Sequence, residues 1–141
     1  MKNYRLLALY CAIFVSVTAF GQTKSINKPK VEIYYFHTTH RCPTCLSIEE
    51  NTKNVLNTYY KKEMDAGTLK LYILCSDDSK NKALVDKYGA YGSTLILQTL
   101  HGKNEIKDDL TSFAFQYSRN NPKKFNDDLK EKISIALKYQ E

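Results

Sequence analysis

The chain has 141 residues, of which 43% are hydrophobic and 26% are charged, with 5 glycines and 3 prolines. This length is enough for one domain and too short for two. The composition excludes collagen-like, low-complexity and disordered chains, and 4 cysteines are too few for a disulfide scaffold. The net charge of +6 is scattered along the chain, which is typical of a solvated surface, and the export signal described next argues against a nucleic-acid partner.

The first 21 residues have the organisation of a secretory signal peptide. A basic start with Lys2 and Arg5 precedes the uncharged apolar stretch 6–20, which is too short to span a bilayer as a helix. Cleavage after Gly21 removes Cys11, two of the 21 basic residues and none of the 15 acidic ones, so the net charge falls from +6 to +4. We therefore expect an exported protein, periplasmic or extracellular, that keeps no stable membrane anchor after cleavage.

Residues 22–30 are polar and are expected to form a linker into one domain over residues 31–141. The apolar periodicity and the turn residues of this domain predict the element order β-α-β-α-β-β-α. The predicted strands cover residues 31–36, 69–75, 93–99 and 105–107, and the predicted helices cover residues 42–66, 77–88 and 122–136, with a further helical segment at 110–118. The expected buried faces are Ile48, Val55 and Tyr59 on the long helix, and Phe125, Leu129, Ile133 and Ala136 on the last helix.

The order of these elements predicts the topology of the sheet. Strand–helix–strand units are expected to pair in parallel with a right-handed crossover, and the final hairpin, turning at residues 101–104, is expected to pair antiparallel. The expected fold class is α/β, with a mixed four-stranded sheet flanked by helices. The first two strands then end at the same edge, which we call the motif rim because the segment after Phe36 and Cys75 should both lie there.

Two cysteines follow the first strand in the segment HTTHRCPTC and open the long helix. At a helix N-terminus, unpaired backbone N–H groups and the helix dipole stabilise a thiolate on Cys42, and Arg41 and protonated His40 act in the same direction. Pro43 suits the first helical turn, where its missing N–H is not needed. We therefore expect a thiol–disulfide oxidoreductase with Cys42 as the attacking thiolate and Cys45 as the resolving thiol.

Two other interpretations of this segment stay open. Thiolates and imidazoles suit soft metals, so a Zn or Cu(I) site on Cys42, Cys45, His37 and His40 is one alternative. A structural disulfide in a non-catalytic accessory subunit is the other. The capping-box pattern at residues 47–50 bears on the choice, because a helix that begins there leaves Cys42 without most of its dipole stabilisation. Nothing in the sequence requires a bound cofactor.

With these residues, the chain resembles the thioredoxin-like superfamily over residues 31–141. The segment YFHTTHRCPTC at 35–45, followed by Ser-Ile-Glu at 47–49, is similar to a bacterial thioredoxin-like family, the ArsF subunit of nitrophenyl-compound nitroreductase. The resemblance implies a thioredoxin-like fold and a redox-active disulfide between Cys42 and Cys45. It also implies a protein thiol or disulfide as the partner, or a place in a redox accessory complex.

The chain departs from ordinary thioredoxins around the motif. No Trp precedes it, Phe36 stands where such proteins place a buried acid, and Ser93 stands where they place a cis-proline. The resemblance implies that the loop before Thr94 lies beside the disulfide, so Ser93 and Thr94 are expected to support the site and Tyr91 to face it. We expect Cys75 to remain a reduced thiol, because the loop after the first strand should hold the motif cysteines beyond disulfide reach.

Overall fold

The computed structural model describes residues 30–139, so the predicted signal segment 1–21 and the linker up to residue 29 lie outside the described residues. Within residues 30–139, no helix combines the length and the apolar character that a membrane crossing requires. The strands are β1 (Val31–His37), β2 (Leu69–Cys75), β3 (Thr94–His101) and β4 (Asn104–Asp109). The helices are α1 (Pro43–Tyr59), α2 (Lys61–Asp65), α3 (Lys82–Tyr88, preceded by a 3-10 turn at Ser79–Asn81), α4 (Thr111–Tyr117) and α5 (Pro122–Lys138).

The four strands form one mixed sheet in the order β2-β1-β3-β4. β1 and β2 run parallel from the pair Val31 and Leu69 to the pair His37 and Cys75, while β3 is antiparallel to both β1 and β4. The predicted α/β class, with a mixed four-stranded sheet of the thioredoxin-like type, is therefore confirmed. The carboxyl ends of β1 and β2 meet at the motif rim, as the parallel pairing requires.

The expectation that every strand–helix–strand unit pairs in parallel is wrong for the second unit. β3 lies beside β1 and runs against it, with Thr94 opposite Phe36. The seven-residue α3 is about 10 Å long, whereas a seven-residue strand is about 23 Å long, so α3 is too short to carry the chain back across the sheet. The chain therefore enters β3 at the motif rim where β2 ends.

Alternate side chains of β1 build a core on each face of the sheet. Val31, Ile33 and Tyr35 pack with α1 and α5, while Tyr34 and Phe36 pack on the other face with α3. All five side chains are buried, which is why this strand is rich in β-branched and aromatic residues. The sheet is thus covered on both faces beneath the motif rim.

The last helix has the buried face that its periodicity predicts. Asn121 caps α5 by accepting a hydrogen bond from the Lys124 backbone N–H at 3.1 Å, and Pro122 occupies the first turn. The buried residues of α5 are Phe125, Leu129, Ile133 and Ala136. These positions lie one helical turn apart, so the helix lays a continuous apolar stripe on the sheet.

The long helix is shorter than expected, and Tyr59 is not part of its buried face. α1 ends at Tyr59, and a separate helix follows from Lys61 to Asp65. Tyr59 is 50% exposed, whereas Tyr60 is 6% exposed and donates its hydroxyl to the Lys130 carbonyl at 2.5 Å. At this break Tyr60 turns inward and reaches α5. The buried face of α1 is made by Ile48, Thr52, Val55 and Leu56, with Cys45 at its start.

Replacing Tyr60 by Phe is expected to destabilise the fold by about 1–2 kcal/mol, because its hydroxyl bonds both the Lys130 carbonyl and the Ser134 hydroxyl. Tyr59→Phe is the matched control and should change the free energy of unfolding by less than about 0.5 kcal/mol. Urea unfolding measures both values, and equal effects of the two substitutions would contradict the stabilising role of the Tyr60 hydroxyl.

Candidate functional site

The first turn of α1 places the outer cysteine of the motif. Cys42 is the N-cap residue, with an extended backbone at φ −77° and ψ 160°, and its Sγ accepts a hydrogen bond from the Cys45 backbone N–H at 3.1 Å. Ser47 does not cap the helix, because its hydroxyl donates to the Ser118 carbonyl at 3.2 Å. The alternative helix start at residues 47–50 is therefore wrong, and Cys42 holds the position where the helix dipole favours a thiolate.

The two motif cysteines form a disulfide, with Cα atoms 5.0 Å apart. Cys42 is exposed, whereas Cys45 is 6% exposed and packs at the start of the buried face of α1. A partner thiol therefore reaches the Cys42 sulfur first, while the Cys45 sulfur is shielded. This asymmetry suits an outer attacking sulfur and an inner resolving sulfur.

The inner cysteine is held from two sides. The Tyr35 hydroxyl donates a hydrogen bond to the Cys45 carbonyl at 2.6 Å, and the Ser93 hydroxyl donates one to the Cys45 Sγ at 3.2 Å. Burial raises the pKa of the Tyr35 phenol, although hydrogen bonding with Arg41 and Ser93 acts in the opposite direction. The phenol therefore stays protonated at neutral pH and keeps donating to the carbonyl.

The side chain of Arg41 contacts residues of α1 and β1 rather than the sulfurs. Its guanidinium donates to the Glu49 carboxylate at 2.5 Å and lies 5.8 Å from the centroid of the Tyr35 ring. Glu49 also pairs with Lys53 one turn further along the helix. Arg41 therefore ties the loop before the motif to the helix. That Arg41 stabilises the Cys42 thiolate stays a prediction. The carboxylate of Glu49 offsets part of the positive charge of Arg41 on which this stabilisation depends.

Two residues of this network, Tyr35 and Glu49, were not among the predicted site residues. Tyr35 could have been found from the alternation of β1, because it shares a face with Ile33 beneath α1. Glu49 could not, because its pairing with Arg41 joins residues eight positions apart across the loop and the first turns of the helix. Local spacing carries no signal for such a pair.

Cys75 ends β2 as a free, half-buried thiol opposite His37. Its Sγ lies 3.8 Å from the Thr39 hydroxyl, and the Thr39 backbone N–H donates to the Asp77 carboxylate at 2.7 Å. That backbone hydrogen bond is the main reason why the pKa of Asp77 lies below its ordinary value. The prediction that Cys42 and Cys45 pair while Cys75 stays free is confirmed.

The predicted metal set of Cys42, Cys45, His37 and His40 is not assembled. In the part of the chain from residue 30 to residue 139, no three His, Cys, Asp or Glu side chains are grouped so that they could hold a metal ion. The His37 Nδ1 lies 2.9 Å from the neighbouring Thr38 carbonyl, and His40 is exposed. The observed geometry gives the metal alternative no support.

Three residues of the loop before β3 were expected beside the disulfide, namely Tyr91, Ser93 and Thr94. Of these three, Ser93 is the one that contacts it. Thr94 begins β3, and its hydroxyl donates to the Gly92 carbonyl at 3.3 Å, so it supports the loop rather than the sulfurs. Tyr91 is 74% exposed and its hydroxyl donates to the Asp86 carboxylate at 3.3 Å, toward α3. All peptide bonds from residue 30 to residue 139 are trans, including the one that precedes Ser93.

Comparison with known proteins does not assign the chain to a family. No protein-family model matches it, and no curated protein matches it. A solved structure described as that of a malarial protein aligns with 62% of this chain and 93% of its own, at 22% sequence identity and a TM-score of 0.40. A likeness at this level carries no argument about function.

In the reduced protein, Cys42 is expected to react with iodoacetamide before Cys45, with a thiol pKa below the ordinary ~8.5. The reason is that Cys42 is exposed at the N-terminus of α1, whereas Cys45 is buried. Mass mapping after brief alkylation at neutral pH measures the order. Preferential labelling of Cys45 would contradict the assignment of the two roles.

Glu49→Gln is expected to reduce the amount by which the free energy of unfolding falls as the pH becomes acidic. Partial burial acts to raise the pKa of Glu49, but hydrogen bonds and charges from Lys53 and Arg41 outweigh it, so the pKa lies below its ordinary value. A folded-state pKa below the unfolded one adds stability above about pH 4.3 that is lost as the pH falls through the folded value.

Urea unfolding between about pH 6 and pH 3 tests this expectation. The wild type should lose more stability over this range than Glu49→Gln does. The control is Glu50→Gln, which changes an exposed carboxylate that makes no ion pair in residues 30–139. A Glu49→Gln profile as steep as that of the wild type would mean that the pair with Arg41 and Lys53 does not stabilise the fold.

Proposed function

We propose that this protein is an exported thiol–disulfide oxidoreductase that acts through the Cys42–Cys45 pair. The observation that carries the proposal is the position of the disulfide at the N-terminus of α1, with Cys42 exposed and Cys45 buried. A purely structural disulfide gains nothing from an exposed sulfur at a helix N-terminus, whereas an exchanging one needs both features.

The exchange proceeds in two steps. In the first, the Cys42 thiolate bonds one sulfur of a partner disulfide, and the other partner sulfur leaves with the electron pair and takes up a proton. In the second, the Cys45 thiol gives up its proton and its sulfur bonds the Cys42 sulfur, while the second partner sulfur leaves with the electron pair and takes up a proton. The protein dithiol is thereby oxidised by two electrons and the partner disulfide is reduced to two thiols. The reverse sequence oxidises a partner dithiol.

The cellular setting is part of the proposal. The apolar stretch 6–20 with its basic start supports export, and outside the cytoplasm a disulfide pair meets oxidising conditions. The resemblance of segment 35–45 to the ArsF family supports a role as an accessory subunit of a redox system. The partner is then a protein thiol or disulfide that docks at the motif rim.

Trapping of the first intermediate tests the proposal. Reduced Cys45→Ser protein treated with glutathione disulfide should accumulate a stable mixed disulfide on Cys42, because the resolving thiol is missing. The matched variant Cys42→Ser should form an adduct on Cys45 at least about tenfold more slowly, since that sulfur is buried. Peptide mass mapping over time measures both rates, because it separates adducts on the motif cysteine from adducts on the free thiol of Cys75.

The wild-type protein should pass through the same adduct without accumulating it, and should end as the Cys42–Cys45 disulfide with two glutathione thiols released. Equal adduct rates for the two variants would contradict the roles of the sulfurs. A wild-type disulfide that excess glutathione cannot reduce would overturn the proposal in favour of a structural disulfide.

A further inference from the structure

The Ser93 hydroxyl is placed directly on the inner sulfur of the motif. It donates to the Cys45 Sγ at 3.2 Å, and across residues 30–139 no other side-chain oxygen or nitrogen hydrogen-bonds to that sulfur. Cys45 is 6% exposed, so bulk water does not replace this contact. Ser93 is therefore the one side chain of residues 30–139 that donates a hydrogen bond to this sulfur.

The loop that carries Ser93 is anchored on both sides. Ala90 is fully buried, and its backbone N–H donates to the Val85 carbonyl at 2.9 Å. On the other side, Thr94 begins β3 opposite Phe36, and its hydroxyl binds the Gly92 carbonyl. The Ser93 hydroxyl is thus held over the sulfur before any reaction begins, which is the condition for effective electrostatic stabilisation.

The Cys45 thiolate needs a hydrogen-bond donor to stabilise it. Burial in an apolar setting disfavours a thiolate, and in the described part of the chain no carboxylate hydrogen-bonds to either motif sulfur. Phe36 lies on the opposite face of β1 from Tyr35 and packs 5.8 Å from the Tyr88 ring, so it contributes no polar atom to the site. Left to these surroundings, Cys45 would be a slow nucleophile.

We infer that Ser93 is a catalytic residue of the exchange, whose hydroxyl stabilises the Cys45 thiolate as it attacks the mixed disulfide on Cys42. This inference rests on the proposed function. In that step the Cys45 S–H proton is released to solvent as the thiolate forms. The Cys45–Cys42 bond forms, the bond between Cys42 and the partner sulfur breaks, and the partner thiolate leaves with the electron pair and is protonated by water.

Ser93→Ala and Ser93→Thr separate this role from packing. With glutathione disulfide as the oxidant, loss of the Cys42 thiol reports the first step, and release of the second glutathione reports the step that Cys45 performs. Ser93→Ala should slow the second step roughly tenfold, the size of one lost hydrogen bond to a charged acceptor, and leave the first step within about twofold. Ser93→Thr, which keeps the hydroxyl, should restore the second step.

The same variants in the Cys42→Ser protein give a readout that does not depend on turnover. The pH profile of Cys45 alkylation should move to higher pH by about one unit in Ser93→Ala and stay in place in Ser93→Thr. Ser93→Gly removes the hydroxyl without adding an atom and should behave as Ser93→Ala does, so either of the two variants that folds decides the point.

An unchanged second step or an unchanged alkylation profile in Ser93→Ala would overturn the inference. Equal slowing of both steps, or failure of Ser93→Thr to restore the second one, would also overturn it, because it would indicate a general disturbance of the loop. Failure of the proposed function looks different: the wild type would then not exchange with glutathione at all, while the alkylation profile of Cys45 would still report on the Ser93 hydrogen bond.

Discussion

The site depends on one local constraint, the start of α1 at the residue directly after Cys42. The Cys45 backbone N–H binds the Cys42 sulfur, so the first turn of the helix is closed by the motif itself. This closure sets the two sulfurs three residues apart on one turn, with Cys42 outward and Cys45 inward. The exposure of Cys42, its place at the positive end of the helix dipole and the roles proposed for the two sulfurs all follow from where the helix begins.

The sheet supplies the surroundings of the disulfide. The parallel pairing of β1 and β2 brings Cys75 to the motif rim opposite His37, where Cys75 remains free. The antiparallel entry of β3 at the same rim brings Ser93 onto the inner sulfur, a contact that a parallel β3 would place at the far end of the sheet. The direction of β3 is therefore what allows Ser93 to contact the disulfide.

Much of the fold could be predicted from sequence because its signals are local. The buried face of α5, the Gly89 helix end with φ 65° and the helix start at the motif each rest on residues within a turn or two. The direction of β3, the inward turn of Tyr60 and the pairing of Arg41 with Glu49 depend on contacts between distant segments. Such contacts are determined by tertiary packing, and the periodicity of apolar residues in the sequence does not predict them.

The reduction potential of the Cys42–Cys45 pair, measured by equilibration with glutathione or thioredoxin buffers, tests the central claim most directly. An exposed sulfur at a helix N-terminus stabilises the reduced form, so a potential between about −270 and −120 mV is expected, the range of catalytic disulfides. A potential below about −300 mV, typical of structural disulfides, would contradict the account, because the pair would then resist reduction by its proposed partners.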